Sequence, residues 1–274
     1  MIRIDAHHHV WQISRNDYGW LTPDMPIHRD YTLDDLRPLL GEVTGTVLIQ
    51  AAPTEAETAF LLDVARESDG LVKGVVGWAD LQAPDAPDAI ARLGRDGLLK
   101  GLRPMLQDIA ETEWILRADV QPALRAMTAA ELRFDALIQP RHLPAMLQLC
   151  AAHPDLPVVI DHAAKPEREP AAFDRWAEDI ARVAKETPVL CKLSGLPTQL
   201  GLHWQMNAMR PYVDHLLSCF GADRLMWGSD WPVVEMAGGY VRWRVVAERL
   251  LFHLPMTERA KVLGGTAMRF YGLT

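Results

Sequence analysis

Residues 44–78 read TGTVLIQAAPTEAETAFLLDVARESDGLVKGVVGW, and this stretch holds one complete strand–helix–strand unit. The runs TGTVLIQ and VKGVVGW are short and rich in β-branched residues, which is typical of buried strands. Between them, Glu55 to Ser68 carries apolar residues at helical spacing. Because a helix separates the two strands, the unit predicts parallel strands joined by a helical crossover.

The same unit recurs along the rest of the chain. Six further β-rich runs are IRIDAHH (2–8), LLKGLRP (98–104), RFDALIQ (133–139), PVVIDH (157–162), VLCKLSG (189–195) and RLMWGSD (224–230). Helical spacing also occurs in the segments Pro87 to Arg95, Pro122 to Leu132, Leu143 to Ala152, Ala171 to Lys185 and Met209 to Phe220. Eight strands alternating with helices predict a single (β/α)8 TIM barrel that spans residues 1–274 as one domain. A doubly wound open sheet gives a similar alternation and stays an alternative.

Composition points to a small-molecule partner. The chain is 49% hydrophobic and 23% charged with a net charge of -8, and it has no run of Lys and Arg that would bind nucleic acid.

Three scattered cysteines, Cys150, Cys191 and Cys219, fit reduced thiols better than a disulfide framework or a close-spaced zinc site. Neither a signal peptide nor an apolar run of membrane-spanning length is apparent, so we expect a cytoplasmic protein with no membrane partner. Its oligomeric state stays open, a homo-oligomer included.

Two histidines at the end of the first predicted strand suggest a catalytic or metal centre. His7 and His9 are two residues apart, so both imidazoles leave the same face of the strand, whereas His8 points the other way. Neutral imidazole is a common metal ligand and also a common packing residue, so the pair needs partners. His162 follows the sixth strand and Asp230 follows the eighth, both at the barrel mouth where active sites of this fold lie.

Each of these partners also has a plainer interpretation. His162 is equally explained as a core histidine bonded to Asp161, and Asp230 as a helix cap in the SDWP turn. Arg103 shares a strand face with Gly101 that points into the barrel mouth, where its guanidinium could bind a developing oxyanion. A salt bridge from Arg103 to a rim acid such as Asp80 or Asp135 is the alternative.

Further polar and aromatic residues near strand ends are candidates for substrate binding. For each of them rim packing or solvation is the alternative, and they are Gln50, Trp20, Trp78, Gln139, Lys165 and Trp231. The long irregular stretch from Val10 to Tyr31 is either a functional lid or an aromatic plug on the barrel. Lys192 lies within an apolar strand, where pairing with a barrel acid is expected.

Several motifs resemble a known family. They are DAHHHVW, DYGWL, VLIQA, LKGLRPMLQ, IDHAAKP, CKLSGL and GSDWPV, and together they cover nearly the whole chain. With them the chain resembles the amidohydrolase superfamily, specifically the amidohydrolase-2 branch of metal-dependent lactone hydrolases. Within that branch it is most similar to sugar lactonases acting on L-fuconolactone, L-rhamnonolactone or related aldonolactones. The resemblance implies that His7 and His9 are the first-strand pair, His162 the sixth-strand histidine and Asp230 the eighth-strand aspartate.

Two departures from the superfamily pattern bear on the metal. The fourth strand offers Arg103 where many members have a metal-bridging lysine or glutamate, and the fifth offers Gln139 where metal-rich members have a histidine. We therefore expect at most one divalent ion, held by His7 and His9 with His162 and Asp230. Zinc suits such nitrogen-rich ligands best, although the branch also includes enzymes that work without metal.

The resemblance and the residues together predict hydrolysis of a sugar lactone. In the expected reaction, Asp230 removes a proton from an attacking water with His162 beside it, and Arg103 stabilises the oxyanion. The alternatives are a metal-dependent decarboxylase of the same superfamily, a hydrolase of a dicarboxylate lactone and a non-catalytic sugar-binding barrel. A binding protein is disfavoured because it has no need of four convergent titratable groups.

Overall fold

The computed structural model describes residues 2–274, so Met1, the first residue of the predicted 1–274 domain, lies outside the described residues. Eight parallel strands follow one another in sequential order around a single sheet. They are β1 (Ile4–His8), β2 (Gly45–Ile49), β3 (Val72–Gly77), β4 (Leu99–Leu102), β5 (Arg133–Ala136), β6 (Val158–Ile160), β7 (Leu190–Leu193) and β8 (Leu225–Trp227). Every strand lies within one of the predicted β-rich runs. The prediction of a (β/α)8 barrel is confirmed, and the open doubly wound sheet is not what the chain forms.

The helices surround this sheet. Within the described residues they are α1 (Leu33–Leu36), α2 (Glu55–Arg66), α3 (Ala86–Leu93), α4 (Gln121–Ala129), α5 (Leu143–Ala152), α6 (Pro170–Glu186), α7 (Leu196–Leu200), α8 (Met206–Phe220), α9 (Tyr240–Leu250), α10 (Met256–Ala260) and α11 (Thr266–Tyr271). Across residues 2–274, none of these helices has the length and apolar character needed to span a membrane.

The barrel closes between its last and first strands, and hydrogen bonds from the chain after β8 hold this seam together. The backbone N–H of Asp230 donates to the His7 carbonyl at 2.8 Å, and that of His9 donates to the Trp231 carbonyl at 2.6 Å. Just below, the buried carboxylate of Asp5 accepts the backbone N–H of Ser229 at 2.8 Å. The chain after β8 is thereby held against the end of β1.

Two apolar clusters fill the molecule. One lies between the strands and the surrounding helices. The other lies inside the barrel, where strand residues such as Ile4, Val47 and Met226 pack with Phe270 and Tyr271 of α11. The C-terminal helix therefore plugs the barrel from the end opposite the carboxyl ends of the strands, and the mouth at those carboxyl ends is left free for polar side chains.

The long loop after β1 packs as an aromatic cluster. Trp11 is fully buried, and its ring lies 5.4 Å from that of Tyr31 and 5.5 Å from that of Trp20, in both cases edge to face. Trp20 also donates its Nε1 hydrogen to the Ala51 carbonyl at 2.7 Å. The loop thus includes a packed plug, as one of the two interpretations predicted, and it also brings Trp20 and Met25 to the cavity described below.

Candidate active site

The end of β1 directs two imidazoles towards one point. His7 Nε2 and His9 Nε2 are 3.2 Å apart, and both side chains are buried. His9 Nδ1 lies 2.8 Å from the Ile49 carbonyl oxygen, which can only accept, so Nδ1 carries the proton and the Nε2 lone pair faces His7. His8 turns the other way and bonds Thr46 Oγ1 at 2.9 Å, as the alternation of the strand predicts.

Asp230 comes to this pair through the barrel seam. Its Oδ1 lies 3.5 Å from His9 Nε2, 3.8 Å from His7 Nε2 and 3.7 Å from His162 Nε2. Asp230 has a left-handed backbone with φ of 59°, a conformation that non-glycine residues seldom adopt. The backbone bond to His7 stabilises this turn, so one carboxylate oxygen faces three imidazole nitrogens.

His162 begins an unusual turn after β6. Four consecutive residues, from His162 to Lys165, have φ values of 53°, 52°, 59° and 52°. A left-handed residue costs about 1–2 kcal/mol, so the surrounding structure must stabilise this turn. His162 Nδ1 bonds Ser194 Oγ at 2.9 Å, and the Lys165 N–H donates to the His162 carbonyl at 2.8 Å. A Cβ at Gly195 would lie 2.7 Å from the His162 ring, so a glycine is needed there.

Burial determines the charge states of the site. It lowers the pKa of His162 to about 4, and it lowers the pKa values of His7 and His9 as well. Burial alone would raise the pKa of Asp230, but its contacts with His162 and His9 outweigh this and hold the pKa below its usual 3.8. At neutral pH the site therefore combines three neutral imidazoles with one carboxylate, and Asp230 can accept a proton.

Arg103 lies on the floor of the same site and is 3% exposed. Its Nε donates to Gln50 Oε1 at 2.7 Å, and its Nη2 donates to the Gln50 carbonyl. Its Nη1 lies 3.3 Å from Asp161 Oδ2, so the salt bridge forms with Asp161 rather than with Asp80 or Asp135. Nη1 is also 3.4 Å from His7 Nε2. Among the described residues, one Nη2 hydrogen has no acceptor and is free for a ligand.

A buried ionic network lies under His7, and most of it was not predicted from the sequence. Lys192 Nζ lies 2.5 Å from Asp135 Oδ2, 3.0 Å from Asp161 Oδ1 and 3.2 Å from His7 Nδ1. Tyr271 donates its hydroxyl hydrogen to Asp135 at 2.6 Å. Burial opposes ionisation of Asp161, yet Lys192 and the other positive groups around it hold its pKa well below the usual range. Pairing of Lys192 with a barrel acid was predicted, but its contact with a catalytic-site histidine was not.

The donor atoms fit one divalent metal ion. His7, His9 and Asp230 each offer an atom, and these atoms lie within 4.8 Å of one another. Two imidazole nitrogens and a carboxylate oxygen are ligands that divalent transition ions bind. His162 belongs to a second group with His7 and Asp161, and because both groups share His7 they do not form two independent sites. Arg103 and Lys192 also lie close to His7, and the carboxylates of Asp161 and Asp135 pair with them.

A cavity of about 280 Å³ opens above this floor. Arg103, His9, His162 and Asp230 form its base, and loop residues form its walls. Ligand pockets run from about 300 to 1,000 Å³, so this one is at the small end and suits a monosaccharide-sized molecule.

The six predicted substrate-binding residues divide into three sets. Trp20 and Lys165 line the cavity. Gln50 lies beneath it, since its amide accepts from Arg103 and donates to the Ala52 carbonyl. The other three do not line it: Trp231 packs edge to face on Tyr31, Gln139 accepts from Arg141, and Trp78 sits outside the cavity wall. Cavity residues that were not predicted include Gln107 in the segment after β4 and Thr198 and Gln199 in the short helix α7.

The chain is similar to known proteins over nearly its whole length. The profile of the family described as amidohydrolase matches residues 4–273. The chain is 45% identical to L-fucono-1,5-lactonase of Burkholderia ambifaria, over 98% of this chain and 95% of that protein. It is 36% identical to L-fucono-1,5-lactonase of Burkholderia multivorans, over 99% and 96% respectively. A crystal structure of an amidohydrolase from Burkholderia multivorans with bound zinc is similar, with a TM-score of 0.94, 35% identity and 100% of each chain covered.

Proposed function

This chain belongs to the amidohydrolase family, and we propose that within it the protein hydrolyses a sugar lactone such as L-fucono-1,5-lactone to the open sugar acid. Two relatives that match nearly the whole chain are L-fucono-1,5-lactonases. The observation that carries the proposal is the carboxylate of Asp230 against three neutral imidazoles at the base of a monosaccharide-sized cavity. This arrangement suits the activation of one water molecule beside a bound ester.

Asp230 is the general base in this proposal. An attacking water hydrogen-bonded to Asp230 loses a proton to the carboxylate as its oxygen forms a bond to the lactone carbonyl carbon. When the bond from that carbon to the ring oxygen breaks, Asp230 returns the proton to the ring oxygen. His162 and His9 flank the carboxylate, since both Nε2 atoms lie within 3.7 Å of Asp230 Oδ1, and the lone pair of His9 Nε2 can accept a hydrogen bond from the attacking water.

Arg103 stabilises the charge that develops on the carbonyl oxygen. Its guanidinium is fixed from below by Gln50 and Asp161, so it needs no reorganisation when the oxyanion forms. The Nη2 hydrogen without an acceptor among the described residues is the one that reaches the substrate.

His7, His9 and Asp230 are the residues that would hold a divalent ion, and zinc is the proposed one because of the nitrogen ligands. When bound, such an ion supplies Lewis acidity and lowers the pKa of a water molecule.

An uncharged lactone fits the cavity better than a dicarboxylate. Each buried carboxylate needs its own cation, and the two cationic side chains that line the cavity are Arg103 and Lys165. Both already have partners, since Arg103 pairs with Asp161 and Lys165 donates to Gln107.

The test is acid release from a panel of lactones, followed with a pH indicator. We expect turnover of L-fucono-1,5-lactone and related aldonolactones and little turnover of a pyrone dicarboxylate lactone. Preference for the dicarboxylate would overturn the substrate class. Decarboxylation of an aromatic acid without release of acid from any lactone would overturn the reaction class, and binding of a lactone without turnover would indicate a sugar-binding protein.

We also propose that the protein works in the cytoplasm. Its three cysteines, Cys150, Cys191 and Cys219, are all free thiols, and Cys191 is fully buried. Free thiols persist most readily in a reducing compartment. Localisation of a tagged full-length chain in its native cell tests this directly.

A further inference from the structure

Glu57 is a fully buried residue in the first turn of α2, and its side chain does not line the cavity. Thr54 precedes this helix, and its Oγ1 accepts the backbone N–H of Glu57 at 3.0 Å. In a complete capping box the Glu57 side chain would in return accept the backbone N–H of Thr54. That N–H donates instead to the Ala52 carbonyl at 2.9 Å, so the carboxyl group of Glu57 has other partners.

The partners of Glu57 are two backbone N–H groups in the segment that follows β2. Both of its side-chain oxygens lie 3.0 Å from the Ala51 nitrogen, and Oε2 also accepts the N–H of Ala52 at 2.6 Å. A buried N–H group without an acceptor is strongly disfavoured. Glu57 therefore fixes the orientation of two consecutive peptide groups.

The first of these peptide groups connects Glu57 with the catalytic arginine. It joins Gln50 to Ala51, and in a trans peptide the N–H and the carbonyl point in opposite directions. Its N–H donates to Glu57, and its carbonyl accepts a hydrogen bond from Arg103 Nη2. The carboxyl group and the guanidinium thus lie on opposite sides of one peptide group.

The second peptide group supports the side chain of Gln50. Gln50 Nε2 donates to the Ala52 carbonyl at 3.1 Å, and Gln50 Oε1 accepts from Arg103 Nε at 2.7 Å. Ala52 is itself held through its N–H by Glu57. Both oxygens of Gln50 that bind the guanidinium therefore depend on the segment that Glu57 fixes.

We propose that Glu57 is a positioning residue that holds Arg103 in place for the oxyanion through the peptide between Gln50 and Ala51, and this proposal rests on the proposed lactonase function. Nη2 of Arg103 gives one hydrogen to the Gln50 carbonyl and directs the other to the substrate. A shift of that carbonyl moves the hydrogen that meets the oxyanion. Oxyanion stabilisation is effective only when the donors are fixed in advance.

Glu57→Gln disturbs this peptide while keeping the size of the side chain. With the amide oxygen in the place of Oε2, the NH2 group lies where Oε1 is, 3.0 Å from the Ala51 nitrogen. In the reverse orientation the NH2 group lies 2.6 Å from the Ala52 nitrogen. Two donors face each other in either case, so the segment has to move.

The loss should appear in kcat, because Arg103 acts on charge that develops in the transition state. A misplacement of about 1 Å costs about 100-fold, so we expect Glu57→Gln to lower kcat for L-fucono-1,5-lactone by about 10- to 100-fold. KM should stay within about threefold. Glu55→Gln is the matched control, since Glu55 is in the same helical turn and pairs with Arg92 at the surface. Its kcat should stay within about twofold of wild type.

A double-mutant cycle with Arg103→Lys shows whether Glu57 acts through Arg103. Lysine keeps a positive charge opposite Asp161 and lacks the planar fork that bonds Gln50 twice. In this background Glu57→Gln should lower kcat by about threefold at most, because the geometry that it disturbs is already lost. Thermal melting shows which variants are folded. If Glu57→Gln does not fold, Glu57→Asp takes its place in the cycle, since its carboxylate is one methylene further from the peptide groups.

The outcomes separate the role of Glu57 from the lactonase function. A folded wild type that opens no aldonolactone overturns both. Hydrolysis by the wild type, with kcat of the folded Glu57 variant within about twofold of it, overturns the role of Glu57 alone. An equal loss in the wild-type and Arg103→Lys backgrounds overturns it as well, because Glu57 would then act independently of the guanidinium. So does a rise in KM at unchanged kcat, since the effect would then pass through the Ala51 carbonyl to Trp20 in the cavity wall.

Discussion

Replacement of Gly228 by alanine should displace the catalytic histidine next to it. A Cβ at residue 228 would lie 2.7 Å from His7 Cβ and 3.0 Å from the His7 backbone nitrogen. Ordinary van der Waals contact begins near 3.4 Å, so His7 or the strand that carries it must move by roughly 0.7 Å. Neither neighbour is the end of a flexible side chain, and the Gly228 carbonyl is itself held by Trp243 Nε1 at 3.0 Å.

A displacement of about 1 Å from productive geometry can reduce turnover by about 100-fold. We therefore expect Gly228→Ala to lower kcat/KM for L-fucono-1,5-lactone by about 10- to 100-fold, and to lower the free energy of unfolding by about 1–3 kcal/mol through overpacking. Acid release measures the first effect and denaturant unfolding the second. Gly97→Ala is the matched control, since a Cβ there meets nothing within 4 Å. A folded Gly228→Ala enzyme with kcat/KM within twofold of wild type would refute the reasoning about His7.

Three further predictions concern the site itself. Asp230→Asn keeps the shape of the side chain and removes the general base. We therefore expect kcat to fall by about 100- to 10,000-fold while the melting temperature stays nearly unchanged. A variant that keeps more than about a tenth of wild-type turnover would show that the base is another residue. In the proposed reaction Asp230 must be ionised and His162 must be neutral. Because burial lowers the pKa of His162 to about 4, we expect kcat/KM to stay constant from pH 7 to about pH 5 and to decline through about pH 4. A decline centred near 6.5, the ordinary pKa of histidine, would contradict it. Elemental analysis should find at most one divalent ion per chain, and two tightly bound ions would contradict the interpretation of the donor set.

The architecture and the convergence of the main residues were predictable because both depend on strand positions. Each observed strand lies within a predicted β-rich run, and in a parallel barrel the carboxyl ends of all strands meet at one mouth. His7, His9, His162 and Asp230 each follow or end a strand, so the fold alone brings them together. The left-handed backbone conformations of His162 and Asp230 could not be predicted from the sequence, because neither residue is a glycine.

The substrate-binding residues were harder to predict, because the end of a strand fixes the position of a residue but not the direction in which its side chain points. Trp231 directly follows Asp230, so its side chain turns away from the carboxylate and packs on Tyr31. Gln50 directly follows β2, as predicted, yet its side-chain amide oxygen accepts a hydrogen bond from Arg103 below the cavity and does not face the substrate. Gln107 lies in the segment after β4 and Gln199 in the short helix α7 after β7, and strand periodicity carries no information about where their side chains point.

The central claim is that Asp230 and the imidazoles around it open a neutral sugar lactone, and the initial rate of acid release from freshly prepared L-fucono-1,5-lactone tests it most directly. The account predicts a kcat/KM of at least about 10⁴ M⁻¹s⁻¹ for the wild type, in the range of ordinary enzymes, and a loss of at least about 100-fold in Asp230→Asn. A folded wild-type protein that releases no acid above the uncatalysed background from this lactone or any other aldonolactone would contradict it.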